Sequence, residues 1–157
     1  MKSLRFLIPV AMLLVLAPAA FAAEFGVRAG RLDRADENFV GAEMVFDLGA
    51  INLNPNIEYW LVDNDNGGGD VTAGTANLDV TVDFGSSRIK PYVGAGVGLF
   101  YTDSDLGGSD TETLGNLIGG VQFDLDFLKP YAQAKYSRSI ENSDSGHEWA
   151  LTVGLRF

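Results

Sequence analysis

The sequence contains no cysteine, which removes disulfide frameworks and thiolate metal sites together. It also lacks any apolar run long enough to cross a bilayer as a helix, which takes roughly 20 residues. Its longest run, Phe6 to Ala17, follows Lys2 and Arg5 and leads into Pro18-Ala-Ala-Phe-Ala22. A basic start, a short apolar segment and an Ala20-Phe21-Ala22 box are the marks of a secretory signal. Residues 1–22 are therefore expected to be removed, leaving one domain over 23–157. Basic residues are scarce, 11 Lys and Arg against 21 Asp and Glu. Two of the basic residues and none of the acidic ones lie in the signal, so the mature charge is −12. Such acidity excludes nucleic acid as a natural partner. Histidine occurs once, at His147, which leaves little material for general-base chemistry.

What the chain does have is alternation. In the last strand-like segment Trp149, Leu151, Val153, Leu155 and Phe157 alternate with Glu148, Ala150, Thr152, Gly154 and Arg156. A period of two places one set on each face of a β-strand. The same pattern predicts strands near Glu24–Leu32, Phe39–Leu48, Leu53–Val62, Thr72–Phe84, Lys90–Thr102, Thr113–Leu125, Lys129–Ser139 and His147–Phe157. Leu53-Asn-Pro55, Ile89-Lys-Pro91 and Leu128-Lys-Pro130 repeat an apolar–polar–proline step. Proline cannot donate to a ladder, so each is expected near a strand start, where a hairpin leaves a tight turn.

The connections fall into two classes. Gly49–Asn52, Gly85–Ile89 and Asp126–Leu128 are short; Asp33–Asn38, Asp63–Val71, Asp103–Glu112 and Ile140–Gly146 are longer and rich in Asp, Asn, Ser and Gly. Short turns at one end and longer loops at the other suit a transmembrane barrel, with eight strands returning both termini to the periplasmic side. One face is apolar throughout, including Phe25, Val27, Ile57, Leu78, Val80, Val93, Val97 and Val121. The other carries Arg28, Glu43, Asn54, Asn56, Glu58, Asn77, Asp79, Gln122, Gln133 and Lys135. Alternation alone leaves open which face is inside, since a soluble periplasmic barrel binding an apolar ligand would turn the greasy face inward. The low count of exterior Lys and Glu, and glycines 94, 96 and 98 on the polar face, favour the membrane arrangement. Phe25, Phe46, Phe84, Phe123 and Phe157 would then form one interfacial girdle, with Tyr59, Tyr101, Tyr136 and Trp149 forming the other.

On these residues the sequence resembles the small outer-membrane β-barrel family that includes OmpX and the transmembrane domain of OmpA. The likeness is carried by Ile89-Lys-Pro-Tyr-Val-Gly-Ala-Gly-Val-Gly98, Leu128-Lys-Pro-Tyr-Ala-Gln-Ala-Lys-Tyr136 and the segment closing on Phe157. It implies an all-β, eight-stranded, antiparallel up-and-down barrel in the outer membrane of a Gram-negative bacterium. It also implies that Trp149, Leu151, Val153, Leu155 and Phe157 form the signal read by the barrel assembly machinery, and that lipid and lipopolysaccharide surround the barrel. No peptidoglycan-binding domain is expected after Phe157.

Candidate chemistry has two sources. Arg28 and Glu43 are spaced symmetrically about the first loop and are expected to face each other in the lumen, with Glu58, Asp79 and Lys135 at similar depth. These charges could line a narrow pore for small ions. An eight-stranded lumen is just wide enough for side chains to fill, however, so a structural network is the simpler expectation. A lipid-modifying enzyme is the other possibility, with His147 near Glu141, Ser143, Ser145 and Glu148. The lipid A deacylases carry a His-x-Ser motif, and the nearest counterpart here, Lys135-Tyr136-Ser137, lacks the histidine. No catalytic residue, cofactor or resident metal is expected. Asp63-Asn-Asp65-Asn-Gly-Gly-Gly-Asp70 lacks the ligand pattern of a calcium loop. The acidic loops could still bridge divalent cations to lipopolysaccharide, although a solvated, repulsive surface is the plainer expectation. The expected role is structural or interactive within the envelope.

Overall fold

The computed structural model describes residues 23–62, 71–85, 88–104, 108–141 and 146–157. The segment 1–22 expected to be a signal and loop residues Asp63, Asp65, Asp70, Asp105, Ser143, Asp144 and Ser145 lie outside the described residues. Eight strands follow one another: β1 (Ala23–Leu32), β2 (Asn38–Asp47), β3 (Asn52–Leu61), β4 (Val71–Asp83), β5 (Ile89–Ser104), β6 (Gly108–Phe123), β7 (Lys129–Ser139) and β8 (His147–Arg156). Each pairs antiparallel with its neighbours, and β8 pairs with β1 to close an up-and-down barrel. Phe25 and Phe157 exchange both backbone hydrogen bonds, at 3.0 and 2.8 Å, at the end of that seam.

Exposure settles which face is inside. Val27 is 54%, Ile57 59%, Leu151 68% and Val153 63% exposed, whereas Arg28, Glu43, Glu58, Asp79 and Lys135 are each 4% exposed or less. A barrel with its charges inside and its aliphatic side chains outside is built for lipid. The aromatic residues of both girdles stand on this outer face, including Phe25, Phe84, Tyr59, Tyr101 and Trp149. A single arginine placed amid the band, Ala95→Arg, should destabilise the folded barrel by about 2–4 kcal/mol. The same residue at the girdle, Tyr101→Arg, should cost no more than about 1 kcal/mol from charge placement. Denaturant titration in lipid vesicles checks the difference, and equal costs would place the apolar band elsewhere.

Two of the short turns are tight. Leu48 N–H donates to Ile51 C=O at 3.0 Å, and Leu125 pairs with Leu128 around Asp126, whose φ is +64°. Pro91 and Pro130 sit in the first turns of β5 and β7, as the repeat predicts. Pro55 lies deeper in β3, and the β2–β3 ladder is interrupted opposite it, between the Glu43–Asn56 and Phe46–Leu53 pairs. One loop differs from expectation. β5 and β6 are each 16 residues long and stay paired out to Ser104 and Gly108. Asp103, Asp110 and Glu112 therefore belong to a strand hairpin and not to a loop, because alternating Thr and acidic residues sustain the pairing beyond the apolar band.

Candidate functional site

The lumen is filled by a simple volume rule: a large inward side chain stands directly across the ladder from a glycine. The pairs include Glu43–Gly26, Arg28–Gly41, Asp79–Gly96, Tyr92–Gly120 and Tyr131–Gly154. A Cβ built on Gly120 would sit 2.4 Å from the Tyr92 ring, and one on Gly154 would sit 2.3 Å from that of Tyr131. The glycines supply the room that a narrow barrel otherwise lacks.

Into this space the strands project two linked charge clusters. In the first, Arg156 Nε donates to Glu43 Oε1 at 2.8 Å and its Nη1 donates to Gln122 Oε1 at 2.5 Å. Asn54 donates to Glu43 Oε2 at 2.8 Å. The Arg156 guanidinium also lies 4.3 Å from the centre of the Tyr131 ring, a cation–π contact. In the second, Lys135 Nζ donates to both oxygens of Glu58, at 2.7 and 2.6 Å, and Thr75 adds a hydrogen bond at 2.9 Å. Arg28 joins the two, with Nη1 3.5 Å from Glu43 Oε2 and Nη2 3.0 Å from Glu58 Oε1. Among the described residues the buried charges are Arg28, Lys135 and Arg156 against Glu43, Glu58 and Asp79, so the lumen is formally neutral.

Two expectations need correction. Arg28 is paired across the ladder with Gly41 and Glu43 with Gly26. The first hairpin closes two residues tighter than symmetry suggests, with Leu32 N–H bonded to Glu37 C=O and Asp36 at a φ of +57°. A two-residue shift preserves which face each side chain takes, so Arg28 and Glu43 still meet, on the diagonal. Among the described residues Asp79 meets no cation within ion-pair distance. Asn56 and Asn116 hold it by amide donors at 2.8 and 3.2 Å, and Asn77 and Ser137 extend that ladder. Arg156, absent from the expected network, supplies the shortest ion pair to Glu43 among the described residues. It has the inward parity of the last strand, and that parity was its only signal.

The outer end of the lumen is not polar. Leu32, Phe39 and Ala150 form a buried apolar cluster with Trp60 packed on it, and Trp60 and Phe100 meet with ring centres 4.8 Å apart. Above the Glu58–Lys135 pair lies a cavity of about 230 Å³, lined by Trp60, Phe100, Leu114, Arg34 and Glu112, among others. Glu148 fixes its rim by accepting the backbone N–H groups of Arg34 and Ala35 at 2.7 and 3.1 Å. The His147 ring stacks on Tyr136 at 5.6 Å, and Tyr136 meets Trp149 edge-on at 5.1 Å. The Ser137 hydroxyl is instead buried in the lumen, donating to Asn116 at 2.8 Å.

At the opposite rim the charges pair as Lys129–Glu24 and Lys90–Asp124. The Lys90 hydrogen bond holds the Asp124 carboxyl below its ordinary range. That tie is present above the ordinary carboxylate pKa and is lost only as pH falls through the depressed value. Among the described residues no three His, Asp or Glu side chains come together as a metal site.

No protein-family model matches the sequence, and no curated protein matches it either. Solved structures do match in shape. The barrel superposes on Neisserial surface protein A with a TM-score of 0.68 and 16% identity, over 87% of this chain and 95% of that one. The N-terminal β-barrel domain of Pseudomonas aeruginosa OprF gives 0.67 and 20%, over 86% and 96%. The outer membrane enzyme PagL gives 0.56 and 13%, over 85% and 98%. With its lipid-facing exterior and filled polar interior, the chain has the fold of the small eight-stranded outer-membrane β-barrels.

Proposed function

We propose that the protein is a non-conducting structural barrel of a Gram-negative outer membrane, presenting its acidic outer connections at the cell surface. The supporting observation is the neutral lumen. Six buried charges and the amide ladder of Asn54, Asn56, Asn77 and Asn116 are linked to one another across the barrel. A pore would need unpaired groups facing continuous water, whereas charges joined in this way act as struts between strands. The apolar outer cluster of Leu32, Phe39 and Ala150 works in the same direction. In this role Trp149, Leu151, Val153, Leu155 and Phe157 are the face offered to the assembly machinery, and lipid and lipopolysaccharide are the solvent of the barrel wall. Purified, refolded protein in planar bilayers should give no resolved single-channel steps in molar salt. Reproducible unitary conductance would overturn the proposal in favour of a narrow pore.

A further inference from the structure

The outer cavity holds polar groups that the network beneath it leaves unused. Glu58 and Lys135, at its floor, neutralise each other. Glu112, on β6, and Arg34, in the β1–β2 connection, both line it, and neither side chain makes an ion pair among the described residues. β6 and β1 lie three strands apart around the closed barrel, so an anion and a cation stand across one mouth with space between them. Trp60, the largest ring in the wall, also lines it. The remaining charged group of the rim, Glu148, is already bonded to backbone amides.

We infer that this cavity binds a small zwitterion of amino-acid size. An ammonium would be held by Glu112 and the rings of Trp60 and Phe100, and a carboxylate by Arg34. A cation alone would leave Arg34 unanswered, and an anion alone would leave Glu112 unanswered. The volume, about 230 Å³, lies below the roughly 300–1,000 Å³ of pockets for drug-sized ligands. Leu32, Leu114 and Ala150 would receive an aliphatic side chain. The inference goes beyond the structural role, because the cavity ends blindly on the Glu58–Lys135 pair and requires no conduction.

The test uses Trp60 fluorescence in refolded full-length barrel carrying Trp149→Phe, which removes the only other tryptophan. L-leucine should change the emission saturably. L-leucine methyl ester, lacking the carboxylate, and 4-methylpentanoate, lacking the ammonium, should each bind at least about tenfold more weakly. Glu112→Gln and Arg34→Gln should each weaken L-leucine by a similar factor while keeping the gel mobility of the folded barrel. No saturable response to L-leucine, or equal binding of the ester or the acid, would overturn the inference. The two analogues are tested on the unaltered cavity, so the result does not depend on either variant folding.

Discussion

Replacing Glu58 with leucine should destabilise the folded barrel by about 3–5 kcal/mol. Glu58 is 3% exposed and accepts both short hydrogen bonds of Lys135 while lying 3.0 Å from Arg28. Its loss leaves the Lys135 ammonium buried with no carboxylate, and removes one of the two anions that Arg28 spans. An unpaired buried charge is costly because neither water nor a counter-ion replaces what is removed. The double variant Glu58→Leu with Lys135→Met should recover most of the loss, since it exchanges an ion pair for apolar contact of similar volume. Arg28 keeps Glu43 as its partner in that background. Urea unfolding in lipid vesicles, read by tryptophan fluorescence and gel mobility, measures both. A single variant within about 1 kcal/mol of the parent would mean that water reaches the pair, contrary to a desolvated strut.

The second large effect concerns volume and not charge. Gly154→Ala should cost about 1–3 kcal/mol, the usual range for overpacking, because the new methyl would lie 2.3 Å from the Tyr131 ring. Tyr131 has little room to retreat, being 3% exposed and covered by the Arg156 guanidinium. Combining Gly154→Ala with Tyr131→Leu should therefore be less harmful than the sum of the two single changes. Gly119→Ala makes the control: it lies on β6, two strands away around the barrel, its Cβ would meet nothing within 4 Å, and its effect should be close to zero. If both alanines cost the same, the penalty would belong to the backbone conformation of glycine and not to the partner ring. Double-mutant cycles on the two positions decide between these.

Most of the barrel was legible because its signal is a parity. Every inward residue expected from alternation, from Arg28 on β1 to Lys135 on β7, is buried, since a strand has only two faces to choose between. The turn prolines and the two classes of connection added the direction. What alternation does not encode is how far one strand slides along the next. The first hairpin shows this: its tight closure at Leu32 and Glu37 moved Arg28 off Glu43 by two positions without changing a single face. The outer lumen was hidden for another reason. Leu32, Phe39, Trp60 and Phe100 have inward parity but apolar chemistry, so they break the rule that marks the interior as polar. The cavity between them arises only when strands from around the closed barrel converge. Arg156 was obscured by its setting in a strand whose apolar face dominates it.

The neutrality of the lumen also determines where the protein's charge acts. Three buried cations cancel three buried anions, so the net acidity of residues 23–157 resides at the two ends of the barrel. The greater part belongs to the outer connections and the β5–β6 hairpin. To its neighbours in the membrane plane, each molecule therefore presents an uncharged wall beneath a negatively charged crown. Copies of the protein would repel one another chiefly above the bilayer, over a distance set by the ionic strength outside the cell, about 8–10 Å under ordinary salt. Lateral crowding thus becomes an electrostatic property that the medium can tune, with the barrel itself unchanged.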